Sequence, residues 1–213
     1  MFGSPVSLEK GWPVKALCEI ASSQLGKMLN AKKQTGKNQH YYLANRNVQW
    51  FGYDLSDLRQ MDFDEKECQK YELRDNDLLV CEGGEIGRCA VWHNEVEDCY
   101  IQNAVHRVRC STDLITHIFL GHVLYYHAQE NGFSDVIGVK VTIPHLPADK
   151  LKAMRIMVPP LTLQKEFEAL VKQSDKSKFD ELMISNLNLS RCLVIQKRIL
   201  KNGIIYNWEI FHS

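Results

Sequence analysis

Val158-Pro159-Pro160-Leu161-Thr162-Leu163-Gln164 divides the sequence into two textures. Downstream, from Leu161 to Lys201, there is no proline or glycine, and apolar residues recur at the three- and four-residue spacing of one helical face. Phe167, Leu170 and Val171 start a stripe. It continues through Phe179, Leu182, Asn186, Leu189, Leu193, Gln196 and Leu200, stepping alternately by three and four. Thr162 stands at a capping position, Glu166 and Glu168 lie early, and Lys197, Arg198 and Lys201 lie late, an order that suits the helix dipole. The pattern predicts one long helix, and about forty residues at about 1.5 Å each make a rod of roughly 60 Å. The alternative is two shorter helices broken near Ser174 to Ser177 and folded back. The stripe of a single rod needs a partner helix, as in a coiled coil, with polar Asn186 and Gln196 fixing the register.

Upstream of the two prolines the periodicity is that of strands and turns. Trp12 to Ile20 begins extended and continues into a short turn or strand, with Trp12, Leu17 and Ile20 as core anchors. Ser22 to Gln39 is poor in apolar residues and holds Gly26 and Gly36, which predicts a long loop. Tyr41 to Ala44 reads as a strand. Leu78-Leu79-Val80-Cys81 and Cys89-Ala90-Val91-Trp92 read as a hairpin joined through Gly83-Gly84-Glu85-Ile86-Gly87-Arg88. Tyr100 to Arg109 is further strand, Leu114 to Gln129 a helix, Val136 to Pro144 strand-like, and Met154 to Val158 a last short strand. The expected architecture is α+β: a globular mixed α/β domain over residues 1–160, then a helical pairing region over residues 161–213.

Composition excludes several classes. The 213 residues are 45% hydrophobic and 24% charged with only 12 Gly and 6 Pro, so the chain is neither disordered nor collagenous. No apolar run approaches the roughly 18 residues of a membrane span, and the first residues resemble no secretory leader. Seven dispersed cysteines with no Cys-x-x-Cys pair suggest reduced thiols in a cytoplasmic protein, with no metal site.

Net charge is zero but unevenly distributed. Ile20 to Tyr53 carries five bases (Lys27, Lys32, Lys33, Lys37 and Arg46) and no acid, whereas Asp54 to Cys99 carries fourteen acids and five bases. The basic window is also rich in amides and aromatic rings, an inventory suited to phosphates and base edges. An ordinary solvated loop balanced by the acids after it is the competing account of the charge alone. On the nucleic-acid reading the five bases position the DNA backbone, Asn45, Asn47 and Gln49 contact bases, and the Gly83-Gly84 turn lets the main chain approach beside Arg88.

A catalytic constellation is not apparent. The two prolines follow Val158 and not the Asn or Asp that orients a target amine in adenine and cytosine-N4 methyltransferases. Gly83-Gly84-x-x-Gly87 lies between strands, not at a strand-to-helix nucleotide turn, and there is no phosphate-binding Gly-Lys-Ser/Thr loop. His117, His122 and His127 fall five apart, too far round a helix to share a metal. Asp62-Phe63-Asp64-Glu65 reads as a solvated acidic face. No cofactor is expected.

The ordered set resembles the specificity subunit of type I DNA restriction-modification systems. It comprises Trp12 with Leu17 and Ile20, Leu43-x-Asn45-x-Asn47-Val48, Asp77-Leu78-Leu79-Val80 with Gly84-x-Ile86-Gly87-Arg88, Gln102-Asn103, and Val158-Pro159-Pro160-Leu161-x-x-Gln164 entering a helix. The resemblance implies a non-catalytic target-recognition domain that grips one half of a split double-stranded DNA site. It further implies a helix that docks methyltransferase subunits, with a restriction subunit as a further partner in the full complex. The usual subunit has two recognition domains and two helical regions, so this chain looks like a half-subunit that pairs as an antiparallel homodimer. A recognition fragment of a fused restriction-methylation enzyme, and a coiled-coil protein without DNA binding, are the alternatives.

Overall fold

Trp12 and Pro13 lead into β1 (Val14–Ala16), which is followed by the single turn α1 (Leu17–Ile20). The Glu19 carboxylate reaches back to accept from the Ala16 amide at 2.6 Å, closing that turn. The computed structural model describes residues 2–8, 10–31, 34–138 and 145–174. The chain then enters β2 (Ala21–Leu25), where the sequence pattern predicts loop. Its Ala-Ser-Ser-Gln-Leu sequence has no strand signal of its own. It is a strand because β10 (Val105–Cys110) supplies five antiparallel partners, from Ala21↔Cys110 to Leu25↔His106.

Strand β10 is one of two interior members of a four-stranded antiparallel sheet completed by β7 (Leu78–Cys81), the other interior strand, and β8 (Cys89–Val91), in the order β2-β10-β7-β8. All four residues of β7 are buried. Leu78 and Val80 pack into one core with Leu17, Ile20, Phe119 and Ile156, while Leu79 and Cys81 pack into a second with Leu43, Trp92 and Ile101. Burial on both faces is why this stretch reads as an unbroken apolar run. In the β7–β8 connection, Gly87 has φ +73°, and a Cβ there would lie 2.2 Å from the Phe133 ring. Only glycine fits between the turn and that side chain.

A second sheet has the order β6-β3-β9, built from β3 (Gln39–Leu43), β6 (Arg59–Asp62) and β9 (Cys99–Ile101), with β3 and β9 parallel. The strand-like stretches Tyr100 to Asn103 and Ala104 to Arg109 thus fall in two different sheets, separated at Ala104 with φ +74°. The β4 (Val48–Gln49) and β5 (Gly52–Tyr53) pair forms a small hairpin, and α2 (Glu65–Tyr71) follows β6. Asp64 caps α2 by accepting from the Glu67 amide at 2.9 Å.

Helix α3 (His117–Asn131) is capped by Thr116 and ends at Gly132 in the left-handed region. The strand expected from Val136 is instead the short helix α4 (Ser134–Ile137), and residues 139–144 lie outside the described residues. Val136 and Ile137 pack on the first core, which a helical turn achieves as well as a strand. Helix α5 (Ala148–Ala153) then leads to β11 (Arg155–Met157), which pairs antiparallel with β1.

Residues 161–174 are helical, as the sequence predicts for the start of the rod. Phe179, Leu182, Asn186, Leu189, Leu193, Gln196 and Leu200 lie outside the described residues. The compact first unit runs from Met1 to Phe167. It extends past the expected boundary at 160 because Leu163, Gln164 and Phe167 belong to its interior. Gln164 is fully buried: its amide donates to Leu114 O at 3.0 Å and Pro159 O at 2.8 Å, and its Oε1 accepts from the Thr116 amide at 3.0 Å.

Candidate nucleic-acid interface

The basic window separates into a structural part and a surface part. Lys27 is buried, with Nζ donating to Asp62 O and pairing with Glu67 Oε2, both at 2.5 Å, and lying 4.8 Å from the Phe63 ring centroid. Its main chain is threaded against β9 and the turn after it. Gly26 permits that approach, since a Cβ would lie 2.2 Å from Gln102 O. The Lys27 ammonium therefore holds the foot of the loop and does not face solvent.

From this foot the chain runs outward with Met28 and Leu29 72% and 48% exposed. Lys32 and Lys33 lie outside the described residues, and Lys37 is exposed. The returning limb is fastened by Asp62, an acid the sequence pattern assigns to a solvated face. Its Oδ2 accepts from the Thr35 amide, from Thr35 Oγ1 at 2.7 Å and from the Gly36 amide at 2.8 Å, while its own amide donates to Gln34 Oε1 at 2.8 Å. One residue thus fastens three consecutive loop residues, two of them through its carboxylate. These bonds, Thr35's hydroxyl first, hold the Asp62 carboxyl below the ordinary carboxylate range.

Because its folded value is depressed, the anchor is present above the unfolded carboxylate range and is lost as pH falls through the folded value. Asp62→Ala should release Thr35 and Gly36 at neutral pH. Amide hydrogen exchange at Thr35 and Gly36 should accelerate by about tenfold or more, with exchange in β7 unchanged. Equal protection in the variant would rule out the anchor.

A second node joins Asn45, Gly83, Gly84 and Arg88, which the sequence pattern also groups. Asn45 Nδ2 donates to Gly83 O at 2.9 Å, Arg88 Nη2 donates to Asn45 O at 2.9 Å, and Gly84 has φ +71° beside the Asn45 amide. Arg88 also lies 3.5 Å from Glu85 and is mostly covered. Asn47 is buried and wholly engaged with the main chain, accepting from the Ala44 amide and donating to the Asp54 and Asp57 carbonyls. Arg46 pairs with Asp57 at 3.1 Å, and exposed Gln49 donates to Arg46 O at 2.8 Å. Asn45 and Asn47 thus shape the surface, whereas Arg46, Gln49 and Lys37 lie on it.

Phe51 has φ +60°, is 48% exposed and stacks on His122 with centroids 4.4 Å apart. Trp50 and Tyr125 complete this aromatic cluster at the β4–β5 turn. Among the described residues no group of three or more His, Cys, Asp or Glu is placed to hold a metal ion, and no helix is long and apolar enough to cross a membrane.

The model of the type I restriction modification DNA specificity domain matches residues 9–183. The chain belongs to this family. Among solved structures, it is similar to the HsdS subunit from Thermoanaerobacter tengcongensis at 17% identity and a TM-score of 0.56, covering 78% of this chain and 38% of that one. A second similar chain comes from a structure described as the basis of complex assembly and conformational transition of the type I R-M system. It has 18% identity and a TM-score of 0.58, with 90% of this chain and 43% of that one covered. This chain therefore spans about two fifths of the length of those solved chains. A comparison with curated proteins found no match. Within this specificity-domain chain the quoted motifs have structural work: Asp77 ties a turn to β10, and Gln164 joins the start of the last helix to α3.

Proposed function

We propose that this chain is a DNA-recognition unit of a type I restriction-modification complex, reading one half of a bipartite double-stranded site without a catalytic centre of its own. The family match across residues 9–183 carries the reading. The likeness in fold and the loop fastened by Asp62 support it. Lys32, Lys33 and Lys37 meet the phosphate backbone together with Arg46, and Gln49 is the amide available to a base edge. Asn45, Asn47, Gly83, Gly84 and Arg88 hold the main chain behind that surface in register. Methyltransferase subunits dock on the helix after Pro160, and the restriction subunit joins through them, in the cytoplasm and with no bound cofactor in this chain.

Titration of fluorescent duplexes selected from a random pool, with methyltransferase subunits present, should yield one preferred half-site. Binding equal across all duplexes rejects the recognition role. Labelled S-adenosylmethionine should transfer no methyl group to DNA until those subunits are added.

The helical stripe Phe179, Leu182, Asn186, Leu189, Leu193, Gln196 and Leu200 pairs with a second copy, antiparallel, which places two heads over half-sites about one helical turn, roughly 34 Å, apart. Exposed leucines would each forgo about 1.5 to 3 kcal/mol of burial. In sedimentation equilibrium the wild type should be dimeric at tens of micromolar and a Leu189→Asp, Leu193→Asp variant monomeric. A wild-type monomer rejects the homodimer.

A further inference from the structure

Four side chains, from β3, from β9 and the segment entering it, and from α2, converge beside the second sheet. His40 on β3 places Nδ1 2.6 Å from Asp98 Oδ2, and Tyr100 on β9 donates its hydroxyl to Asp98 Oδ1, also at 2.6 Å. The other ring nitrogen, His40 Nε2, lies 3.9 Å from Cys68 Sγ on α2. The Tyr100 and His40 hydrogen bonds hold the Asp98 carboxyl below its ordinary range, so it is an acceptor. An acceptor at Nδ1 fixes the proton on that nitrogen and leaves the Nε2 lone pair facing the thiol. Edge-to-face packing on Tyr100, at 5.0 Å between centroids, holds the ring in place.

We propose that Cys68 is a modification site, whose thiol gives its proton to His40, positioned by Asp98, and attacks small soft electrophiles, disulfides foremost. The arrangement is that of an activated nucleophile, with base and orienting carboxylate in line. It differs from the chain's other described thiols. Cys81, Cys89 and Cys99 are buried, and burial pushes Cys81 up to about 11 and Cys99 up to about 12, which keeps them protonated and inert. Half-buried Cys110 is likewise pushed up to about 12 by burial, and exposed Cys18 is the comparator.

In the reaction with a disulfide, the Sγ–H proton passes to His40 Nε2 as Sγ bonds to one sulfur. The S–S bond breaks, and the departing thiolate takes the proton back from the imidazolium. Cys68 is thereby oxidised to a mixed disulfide and the reagent reduced to one thiol. Cys68 is half-buried, and the His40 side chain is 24% exposed, which suits a small reagent.

The test is peptide-resolved mass spectrometry of the native full chain treated briefly with iodoacetamide, and separately with glutathione disulfide, at pH 7. Cys68 should react about tenfold faster than Cys18. His40→Gln should slow Cys68 about tenfold and leave Cys18 unchanged, with Cys89 and Cys99 still protected as evidence that the fold is intact. Asp98→Asn should slow Cys68 and Asp98→Glu restore it, a rescue that a merely structural carboxylate would not give. Wild-type Cys68 reacting no faster than Cys18 overturns the proposal without recourse to any variant. An unchanged Cys68 rate in a folded His40→Gln protein also overturns it.

Discussion

Asp77→Ala is expected to cost about 3 kcal/mol of folding stability, a large share of what a domain of this size possesses. The carboxylate is buried and accepts from Arg109 Nε at 2.6 Å, from Arg109 Nη2 at 3.0 Å and from the Arg74 amide at 2.8 Å. Arg107 Nε lies 4.0 Å away, and both arginines also donate to Glu72 O. Burial first, and the neighbouring Arg109 second, already work against the charge on Arg107. Removing the acid would leave two adjacent guanidinium groups facing one carbonyl. Because the Arg109 side chain is 28% exposed, water recovers part of the loss, which places the cost at the lower end for a broken buried pair. Urea denaturation should show a lower midpoint with an unchanged slope. A loss under about 1 kcal/mol would show that Asp77 is not the hub of this cluster.

Replacing Lys32, Lys33 and Lys37 together by alanine should weaken binding to every duplex by roughly tenfold to a hundredfold at moderate salt. It should also reduce the slope of log affinity against log salt by up to about three, one for each phosphate contact. The effect should be uniform across sequences, since such contacts position the protein and carry no base information. Lys27→Ala provides the contrast. Its ammonium is engaged with Asp62 and Glu67, so that variant should lose stability and keep the slope. An unchanged slope in the triple variant removes the loop from the DNA surface.

The parts of the fold that were legible in the sequence are those whose burial leaves a local pattern. Leu78 to Cys81 is apolar throughout because each face of β7 meets a different core, and residues 161–174 show helical spacing because the helix is regular. Strand β2 was not legible, since Ala21 to Leu25 becomes a strand through partners more than eighty residues away. Val136 and Ile137 carry an apolar signal that fits a strand or a turn of helix equally, and packing on the first core decided for α4.

At the candidate site, composition located the basic segment but could not sort its members. Lys27 and Lys37 look alike in sequence, yet one is buried and the other exposed. Asn47, read as a contact to bases, spends its side-chain amide on three main-chain groups, a use set by the 3-10 turn Asn45–Asn47 and invisible before the turn is known. Asp62 carried no signal that set it apart from the acids beside it. Its partners at Thr35 and Gly36 lie 27 and 26 residues earlier, beyond any local motif.

The pairing of β1 with β11, Val14 opposite Met157 and Ala16 opposite Arg155, is extended by the Val158 amide donating to Pro13 O at 2.7 Å. Residues 13 and 158 are therefore neighbours, and the first and last strands of the head meet at one spot, with Phe2 before it and Leu163, Gln164 and Phe167 after it packed on the same interior. The same closure delays its completion during synthesis, because β1 waits for a partner strand that emerges about 140 residues later.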